Sequence, residues 1–359
     1  MSRIVAAMSG GVDSSVAAAL LTREGTDDEV IGVWMRTHAD LPEGYELSRS
    51  CCSPDAADDA RRVAQILGIP FFVLNVEREF GARVIDAFVD SYLDGATPNP
   101  CQACNQYIKF DELLRRGLAA YGADAVATGH YARLEHRDGR WRLLRAADAD
   151  KDQTYFLWVL DQEQLSRTRF PLGSLTKPEV RAMAGELTLP TAQKPESQEI
   201  CFVPLGDYRA LLEERRGYAG DPGPIVDADG TKVGTHTGYA HYTVGQRHGL
   251  GVALGEAVYV REVRPRTNTV VIGRRDEVAQ RTFPVEGPSF TAGHPPRERF
   301  AASVRIRHRA PAVPAEVTMV GQDRFVVETA EPVWAPAPGQ AAVLYDGDEC
   351  IGGGRIGRA

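Results

Sequence analysis

The chain has 359 residues and a formal net charge of −8, with 43% apolar and 25% charged residues. This composition excludes collagen-like, coiled-coil and disordered proteins, and the length predicts two or three domains. The sequence contains no run of about 18 apolar residues, and no signal-peptide pattern follows its first residue. We therefore expect a cytoplasmic protein without a membrane span.

Charge is distributed unevenly along the chain. From Arg261 onward there are 14 Arg, no Lys and 12 acidic residues, a balance of +2, so the first 260 residues carry 27 basic and 37 acidic residues, a balance of −10. Arginine occupies every second position at Arg305, Arg307 and Arg309, which predicts three guanidinium groups on one face of a strand. Such a face is either solvated or in contact with a phosphate backbone.

The first 200 residues alternate short β-rich segments with helical patterns. Strands are predicted at 3–8, 30–35, 71–76 and 125–129, and helices at 16–21, 55–67, 81–93 and 110–121. This alternation is typical of an α/β fold with a doubly wound parallel sheet, whose ligands bind beyond the carboxyl ends of the strands.

The pattern changes after about residue 205. Residues 217–255 are rich in glycine with short β-prone segments such as 239–244, and strands are then predicted at 259–263, 269–272, 301–306, 325–328 and 341–345. Such spacing is typical of small antiparallel sheets or a barrel. We predict an α/β domain over 1–206, a small central β domain over 207–280 and a C-terminal β barrel over 281–359.

The strongest motif is Ser9-Gly-Gly-Val-Asp-Ser-Ser15, between the first predicted strand and its helix. Two glycines let the backbone approach a ligand, and Ser14, Ser15 and the N–H groups of the helix start can donate to phosphate oxygens. The loop lacks the Gly-Lys-Ser/Thr ending of a P-loop NTPase. A carboxylate is unexpected in a phosphate-binding loop, so Asp13 indicates a Mg²⁺ ion or a hydroxyl group as its partner. The alternative is a helix start that Ser or Asp merely caps.

Six cysteines are too few for a disulfide scaffold. Cys101 and Cys104 form a Cys-x-x-Cys pair before a predicted helix, and Cys201 lies in a separate segment. A cysteine near a helix N-terminus has a lowered pKa and is more reactive. A structural zinc site would need a second Cys or His pair, which the sequence does not supply at suitable spacing. Inert buried cysteines are the remaining alternative.

The heptapeptide resembles the pyrophosphate-binding loop of the N-type ATP pyrophosphatases, which cleave ATP to AMP and pyrophosphate. With further segments, it resembles the bacterial tRNA-specific 2-thiouridylases, which replace O2 of the wobble uridine by sulfur. The matching segments span nearly the whole chain and are residues 97–110, 127–131, 151–157, 195–202, 242–247 and 352–354. The resemblance implies ATP and Mg²⁺ as cofactors, tRNA as substrate and a sulfur-relay or cysteine desulfurase protein as partner.

The resemblance also implies roles for single residues. Cys201 would carry a persulfide that attacks the adenylated base, and Cys104 would form a transient disulfide with Cys201 or free the sulfur as hydrosulfide. Asp13 joins them as a catalytic residue. The implied ATP contacts are Ala7, Met8, Ser9, Gly10, Gly11, Val12, Asp13, Ser14, Met35 and Gly129. The implied tRNA contacts are Asn99, Pro100, Cys101, His130, Lys151, Asp152, Gln153, Arg307, His308 and Gln340.

Cys101 departs from the pattern of this family, because some members carry there an Asp that is assigned acid–base work. Cys101, Cys104 and Cys201 could instead hold a [4Fe-4S] cluster with one iron open to hydrosulfide, so persulfide and cluster routes both stay open. The alternative functions are an amidotransferase-type synthetase that transfers nitrogen and an RNA-binding module with a vestigial nucleotide fold. Cys51, Cys52 and Cys350 receive no role.

Overall fold

A computed structural model of the chain describes residues 2–23, 28–37, 54–196, 200–203 and 207–358. Cys51 and Cys52 lie outside the described residues, as do residues 197–199 of the segment before Cys201. Within the described ranges, no helix is both long enough and apolar enough to cross a bilayer.

The strands in chain order are β1 Arg3–Ala7, β2 Glu29–Arg36, β3 Phe71–Asn75, β4 Ala125–Ala127, β5 Arg133–Arg137, β6 Arg140–Leu144, β7 Thr168–Arg169, β8 Gly223–Val226, β9 Lys232–His236, β10 Tyr259–Arg264, β11 Thr269–Gly273, β12 Ala279–Phe290, β13 Arg299–Arg305, β14 Val313–Met319, β15 Arg324–Trp334, β16 Ala341–Asp346 and β17 Glu349–Ile356. The α-helices are α1 Val12–Leu21, α2 Pro54–Ile66, α3 Glu77–Phe80, α4 Ala87–Leu93, α5 Pro100–Ala103, α6 Leu114–Tyr121, α7 Gln162–Ser166, α8 Lys177–Glu186, α9 Arg209–Arg216 and α10 Arg275–Val278.

The first sheet has the strand order β3-β2-β1-β4-β7, and all its strands are parallel. β1 and β2 are short apolar runs buried on both faces, as expected for inner strands of a parallel sheet. One face packs with α1 and α8 through residues such as Val16 and Val180, and the other packs with α6 through Leu114. The predicted doubly wound parallel sheet is therefore confirmed.

Two helical stretches contain a π-helical insert. The π-helix Gly81–Asp86 joins α3 directly to α4, and the π-helix Cys104–Leu113 joins α5 directly to α6. The helices predicted at 81–93 and 110–121 are confirmed, although the two stretches begin earlier than their apolar patterns indicated, at Glu77 and Pro100. Since π-helical turns are frequent at functional sites, the position of Cys104 at the start of one marks this helix for closer attention.

The middle of the chain forms a four-stranded sheet with the order β10-β11-β8-β9. Its core contains Ile225, Val260 and Val270. The β-prone segment predicted at 239–244 is wrong, because residues Tyr239–His241 form a 3₁₀ turn. The Tyr239 hydroxyl donates to the carbonyl oxygen of Leu93, so contacts with the α/β part override the local β propensity.

The C-terminal part is a closed antiparallel barrel. Its strands follow the order β12-β15-β14-β13-β16-β17, and pairing of β12 with β17 closes the circle. The predicted barrel is confirmed. The β5–β6 hairpin, which the sequence did not indicate, comes from the α/β part and extends this sheet, because Leu143 and Leu144 pair with Cys350 and Glu349.

The predicted arginine face on a single strand is wrong. β13 ends at Arg305, and residues 306–310 turn, with the N–H of Ala310 donating to the carbonyl oxygen of Arg307. The Arg305 guanidinium lies 3.0 Å from the Asp152 carboxylate, and that of Arg307 donates to the carbonyl oxygen of Ala335. Two of the three charges are therefore used inside the protein, because the buried Asp152 carboxylate needs a cation beside it.

Replacing Leu143 by Ala tests whether the β5–β6 hairpin is an integral part of the barrel. Leu143 is fully buried in a cluster that contains Leu157 of the α/β part and Tyr345 of β16. We expect Leu143→Ala to lower the free energy of unfolding by about 2–5 kcal/mol, from lost burial and the cavity left behind. Chemical denaturation followed by tryptophan fluorescence measures the change.

The matched control is Leu254→Ala, because 42% of Leu254 is exposed. We expect that variant to stay within about 0.5 kcal/mol of the parent. Equal stability of the two variants would contradict the proposed structural role of the hairpin.

Candidate nucleotide and cysteine site

The β1–α1 turn brings the glycines of the heptapeptide against other segments. Gly10 has φ +70°, and a Cβ atom there would lie 2.1 Å from the carbonyl oxygen of Ala56. Only glycine fits, both for its conformation and for the space. α1 begins after Gly11 and has no side-chain cap, which excludes the alternative that Ser or Asp caps this helix. An uncapped helix start suits an anion.

The serines of the loop shape it from within. The Ser14 hydroxyl lies 3.0 Å from both the N–H and the hydroxyl of Ser9, and the hydroxyls of Ser14 and Ser15 both donate to the carbonyl oxygen of Gly11. The N–H of Met8 donates to the carbonyl oxygen of Val33, which fixes the start of the turn to β2. These bonds hold the loop in one conformation before any ligand is bound.

Gly129 is the point at which the chain after β4 touches the loop. A Cβ atom at Gly129 would lie 2.7 Å from the backbone nitrogen of Ser14 and 2.8 Å from the carbonyl carbon of Asp13. The structure therefore brings Gly129 together with the implied ATP contacts Ala7 to Ser14. Met35, at the end of β2, is half-buried and packs against the apolar cluster that also contacts Cys104 and Cys201.

Asp13 is held by two partners outside the loop. The Lys177 ammonium lies 2.7 and 2.8 Å from its carboxylate oxygens, and the Tyr131 hydroxyl donates to Oδ1 at 2.8 Å. Burial and the adjacent Asp13 raise the pKa of Tyr131, which keeps the phenol protonated as a donor. Both oxygens of Asp13 are thus engaged, and its role in the loop is coupled to Lys177.

Lys177 and Tyr131 are functional candidates that sequence reasoning missed. Lys177 is the first residue of α8, between Thr176 and Glu179 of a capping box. A cation at a helix N-terminus faces the positive end of the helix dipole, which is unfavourable without an anionic partner. A lysine at a predicted helix start therefore indicated, from the sequence alone, that an anionic partner lies nearby.

A second carboxylate shares the Lys177 ammonium. Glu196 lies 2.9 Å from it and also accepts two hydrogen bonds from Lys151, at 3.1 and 2.8 Å. Burial opposes ionisation of Glu196, but the hydrogen bonds and charges of Lys151 and Lys177 outweigh it and lower its pKa to about 2. Lys151, an implied tRNA contact, is therefore part of an ion-pair chain that reaches the nucleotide loop.

The Cys-x-x-Cys pair lies at the start of α5. Asn99 is its N-cap and accepts a hydrogen bond from the N–H of Gln102, and the buried Pro100 is the first helical residue. Cys101 is exposed and Cys104 is half-buried. The predicted location near a helix N-terminus is therefore confirmed.

The barrel holds this loop in place. The Gln340 side chain donates to the carbonyl oxygens of Thr97 and Pro98, at 3.0 and 3.2 Å, and the N–H of Thr97 donates to the carbonyl oxygen of Pro338. Gln340 was implied as a tRNA contact. Here its amide N–H groups bind the segment that leads into the Cys-x-x-Cys pair.

Cys104 and Cys201 pack against the same apolar cluster, whose members include Phe80, Ile108 and Phe202. Both cysteines are half-buried there. Cys350, in contrast, is fully buried in a separate apolar cluster formed by residues of the α/β part and the barrel, and burial raises the pKa of its thiol. The structure therefore separates two cysteines on one cluster from one that serves packing.

The cysteines do not form a cluster-binding group in this arrangement. In the part of the chain that the structure describes, no three or more His, Cys, Asp or Glu side chains are placed to hold a metal ion. Cys101 is exposed, whereas Cys104 and Cys201 pack against the apolar cluster. This arrangement gives no support for a [4Fe-4S] cluster, and no step below passes through one.

Several residues implied as tRNA contacts also make contacts within the protein. His130 is buried, with Nδ1 2.7 Å from the Thr128 hydroxyl and Nε2 3.4 Å from the Lys109 ammonium. Burial and the Lys109 charge hold the pKa of His130 well below its usual value, so the ring is neutral at neutral pH. The Gln153 side chain accepts a hydrogen bond from the N–H of Tyr131.

Asp152 and the Arg307-His308 pair lie at the junction with the barrel. Asp152 is 3% exposed and accepts hydrogen bonds from the Thr154 hydroxyl and from Arg305. Nε2 of His308 lies 3.3 Å from the carbonyl oxygen of Asp152. Burial lowers the pKa of both Arg307 and His308. These residues join the α/β part to the barrel.

Three family models match consecutive parts of the chain. The tRNA methyl transferase HUP domain matches residues 2–205, the tRNA methyl transferase PRC-barrel domain matches 209–274, and the aminomethyltransferase β-barrel domain matches 280–356.

Curated relatives match over the full length. The tRNA-specific 2-thiouridylase MnmA of Carboxydothermus hydrogenoformans is 50% identical over 99% of this chain and 97% of its own length. The chain belongs to the tRNA-specific 2-thiouridylase family. The 2-thiouridylase of Chloroflexus aurantiacus is 48% identical over 100% of this chain and 99% of its own length.

A solved structure, the U34-tRNA thiolase NcsA from Methanococcus maripaludis with its [4Fe-4S] cluster, is 20% identical. It covers 60% of this chain and 66% of its own, with a TM-score of 0.36. A similarity at this level carries no conclusion about a cluster in this 2-thiouridylase family member.

Replacing Gly129 by Ala tests the nucleotide loop. The added methyl would press on the backbone of Asp13 and Ser14 and displace the loop, so we expect the affinity for ATP to fall about tenfold or more, equivalent to about 1.4 kcal/mol. Isothermal titration calorimetry with ATP measures it.

Gly185→Ala is the control, because nothing lies within 4 Å of a Cβ atom at that position in α8. Its ATP affinity should match that of the parent. Unchanged affinity in Gly129→Ala would show that ATP does not bind at this loop.

Proposed function

We propose that this chain is a tRNA-uridine 2-sulfurtransferase, which uses ATP to replace O2 of the wobble uridine by sulfur and releases AMP and pyrophosphate. The observation that carries the proposal is the placement of Cys104 and Cys201 on one apolar cluster that also contacts Met35 of β2. The N–H of Met8, at the start of the nucleotide loop, bonds to the same strand. The proposed adenylating loop therefore bonds to β2, and the two thiols pack against an apolar cluster that β2 also contacts.

Adenylation comes first in the proposed reaction, because a carbonyl oxygen is a poor leaving group. O2 of the uridine attacks the α-phosphorus of MgATP, and pyrophosphate leaves from the loop formed by Ala7 to Ser14 with Gly129. Mg²⁺ enters with the nucleotide as part of the substrate and is held by the phosphates. Asp13 contributes by keeping the Lys177 ammonium beside the phosphate loop.

Sulfur transfer then follows in two exchanges. The terminal sulfur of a persulfide on Cys201 attacks C2, the C2–O2 bond breaks, and the oxygen leaves as part of AMP. The Cys104 thiolate then attacks Sγ of Cys201, which releases the thiocarbonyl of the base and forms a Cys104–Cys201 disulfide. A thiol reductant must reopen that disulfide. In an alternative order of steps, the Cys104 thiolate first attacks Sγ of the Cys201 persulfide, which forms the Cys104–Cys201 disulfide and frees hydrosulfide. The hydrosulfide then attacks C2.

The partners in this proposal are a tRNA and a protein that delivers persulfide sulfur to Cys201. The α/β domain, residues 1–206, would adenylate, while the central domain, 207–280, and the barrel, 281–359, would grip the folded RNA. The loop at Asn99, Pro100 and Cys101 would hold the target base, which must leave the anticodon stack to reach it. Gln340 and the Asp152–His308 junction would act by positioning this loop and the barrel.

Serine substitutions of the two cysteines test the proposed function. We expect Cys104→Ser and Cys201→Ser each to reduce thiolated uridine about a hundredfold or more, because each removes one partner of the sulfur exchange. Nucleoside mass analysis of tRNA measures the product after incubation with ATP and a sulfur source. The control Cys350→Ala should keep parental activity, since this thiol is buried away from the shared cluster.

Two outcomes would overturn the proposal. Full thiolation by a variant that lacks both Cys104 and Cys201 would exclude thiol transfer, and full turnover with a nitrogen donor would indicate the amidotransferase-type alternative. Comparing protein purified aerobically with protein purified anaerobically separates the persulfide route from a cluster route. Oxygen destroys a [4Fe-4S] cluster, whereas the persulfide route does not involve such a cluster.

A further inference from the structure

A chain of ion pairs runs from the nucleotide loop to the segment that carries Cys201. Asp13 of the loop binds the Lys177 ammonium, Lys177 binds Glu196, and Glu196 also binds Lys151. Glu196 precedes Cys201 by five residues. No role follows for Glu196 from nucleotide binding or from sulfur exchange alone, yet it connects the two.

The Lys177 ammonium is shared between a carboxylate of the loop and Glu196. Its side chain is 9% exposed, and its ammonium lies within 2.9 Å of both the Asp13 and the Glu196 carboxylates. In a partly buried site, the attraction between such charges is less screened than at the surface. A polyphosphate bound beside Asp13 adds negative charge on one side of Lys177 and therefore weakens its hold on Glu196 on the other side.

The Cys201 segment has a second, apolar anchor. Phe202 and Val203 are buried in the cluster against which Cys104 packs, and the Phe202 ring meets Phe80 and Phe88 edge to face. The described parts of this segment are thus attached at two points, one ionic and one apolar. Of these two points, the ionic one shares the Lys177 side chain with the nucleotide loop.

We propose that Glu196 is a positioning residue that couples occupancy of the nucleotide loop to the placement of Cys201, by sharing the Lys177 ammonium with Asp13. This inference rests on the proposed function. Glu196 acts through Lys177, and it touches no reacting atom. Its effect is to commit the adenylated base to sulfur rather than to water.

Glu196→Gln tests the coupling, because it keeps the shape of the side chain and removes its charge. We expect adenylation to persist, with the KM for ATP within about threefold of the parent, while thiolated uridine formed per AMP falls about fivefold or more. The lost product is accounted for by water, which attacks the adenylated C2 and returns uridine and AMP. Mass analysis of tRNA nucleosides and of AMP in one reaction measures this ratio.

The matched control is Lys194→Gln. Lys194 pairs with Asp59 of α2 at 2.7 Å, and both side chains are 24% exposed, so this variant also removes an ion pair of the segment before Cys201. That pair does not reach Asp13. The ratio of thiolated uridine to AMP should therefore stay parental. A general loosening of the segment would lower the ratio in both variants, which would overturn the proposal.

A second readout needs neither tRNA nor a sulfur donor. We expect ATP to change the rate of Cys201 alkylation by iodoacetamide about threefold or more in the parent and in Lys194→Gln, and to leave it unchanged in Glu196→Gln. Peptide mass analysis gives the rate at Cys201, and Cys104 in the same sample reports direct shielding by the nucleotide.

The outcomes separate this inference from the function on which it rests. A parent enzyme that makes no thiolated uridine would overturn the proposed function. A parent that thiolates, beside a Glu196→Gln variant with a parental ratio and a parental ATP effect on Cys201, would overturn the coupling alone. Loss of adenylation in folded Glu196→Gln would also overturn it, since Glu196 would then act in nucleotide binding.

Discussion

Close packing of the β1–α1 turn against segments distant in sequence is the constraint on which the candidate site depends. The backbone at Ala56 leaves no room for a side chain at Gly10, and Gly129 lies directly against Asp13 and Ser14. Such contacts restrict the backbone of the loop, so a ligand bound there would have less of it to order. They also make the loop sensitive to whatever moves its neighbours.

The barrel contributes to the site although the two cysteines proposed to transfer sulfur lie outside it. Its Gln340 holds the segment before Asn99, its β17 pairs with the β5–β6 hairpin, and Arg305 neutralises the buried Asp152. Removing one partner of a buried pair such as Asp152 and Arg305 leaves an uncompensated charge. The positions implied as tRNA contacts at this junction therefore have a structural task, and an effect on tRNA binding after mutation can arise through the barrel's placement.

The sequence was informative wherever a local pattern decides the structure. Buried apolar runs predicted the parallel sheet, and the heptapeptide predicted the loop. The Cys-x-x-Cys pair was predicted to lie before a helix, whereas the structure starts that helix at Pro100. The sequence-based predictions failed where contacts between distant residues determine the local structure. The 3₁₀ turn at Tyr239 depends on the carbonyl of Leu93. The turn after Arg305 accompanies a buried carboxylate from another part of the chain. Lys177 was missed because its partners are 164 and 19 residues away, although its position at a helix start was a signal.

In the proposed reaction, ATP makes O2 of the wobble uridine a leaving group that sulfur then replaces. An isotope experiment tests this step with tRNA whose wobble uridine carries ¹⁸O at O2, together with ATP, a sulfur source and the parent protein. We expect the heavy oxygen to appear in AMP in the same amount as thiolated uridine in the tRNA. Heavy oxygen in pyrophosphate, or thiolated uridine formed beside unlabelled AMP, would contradict it.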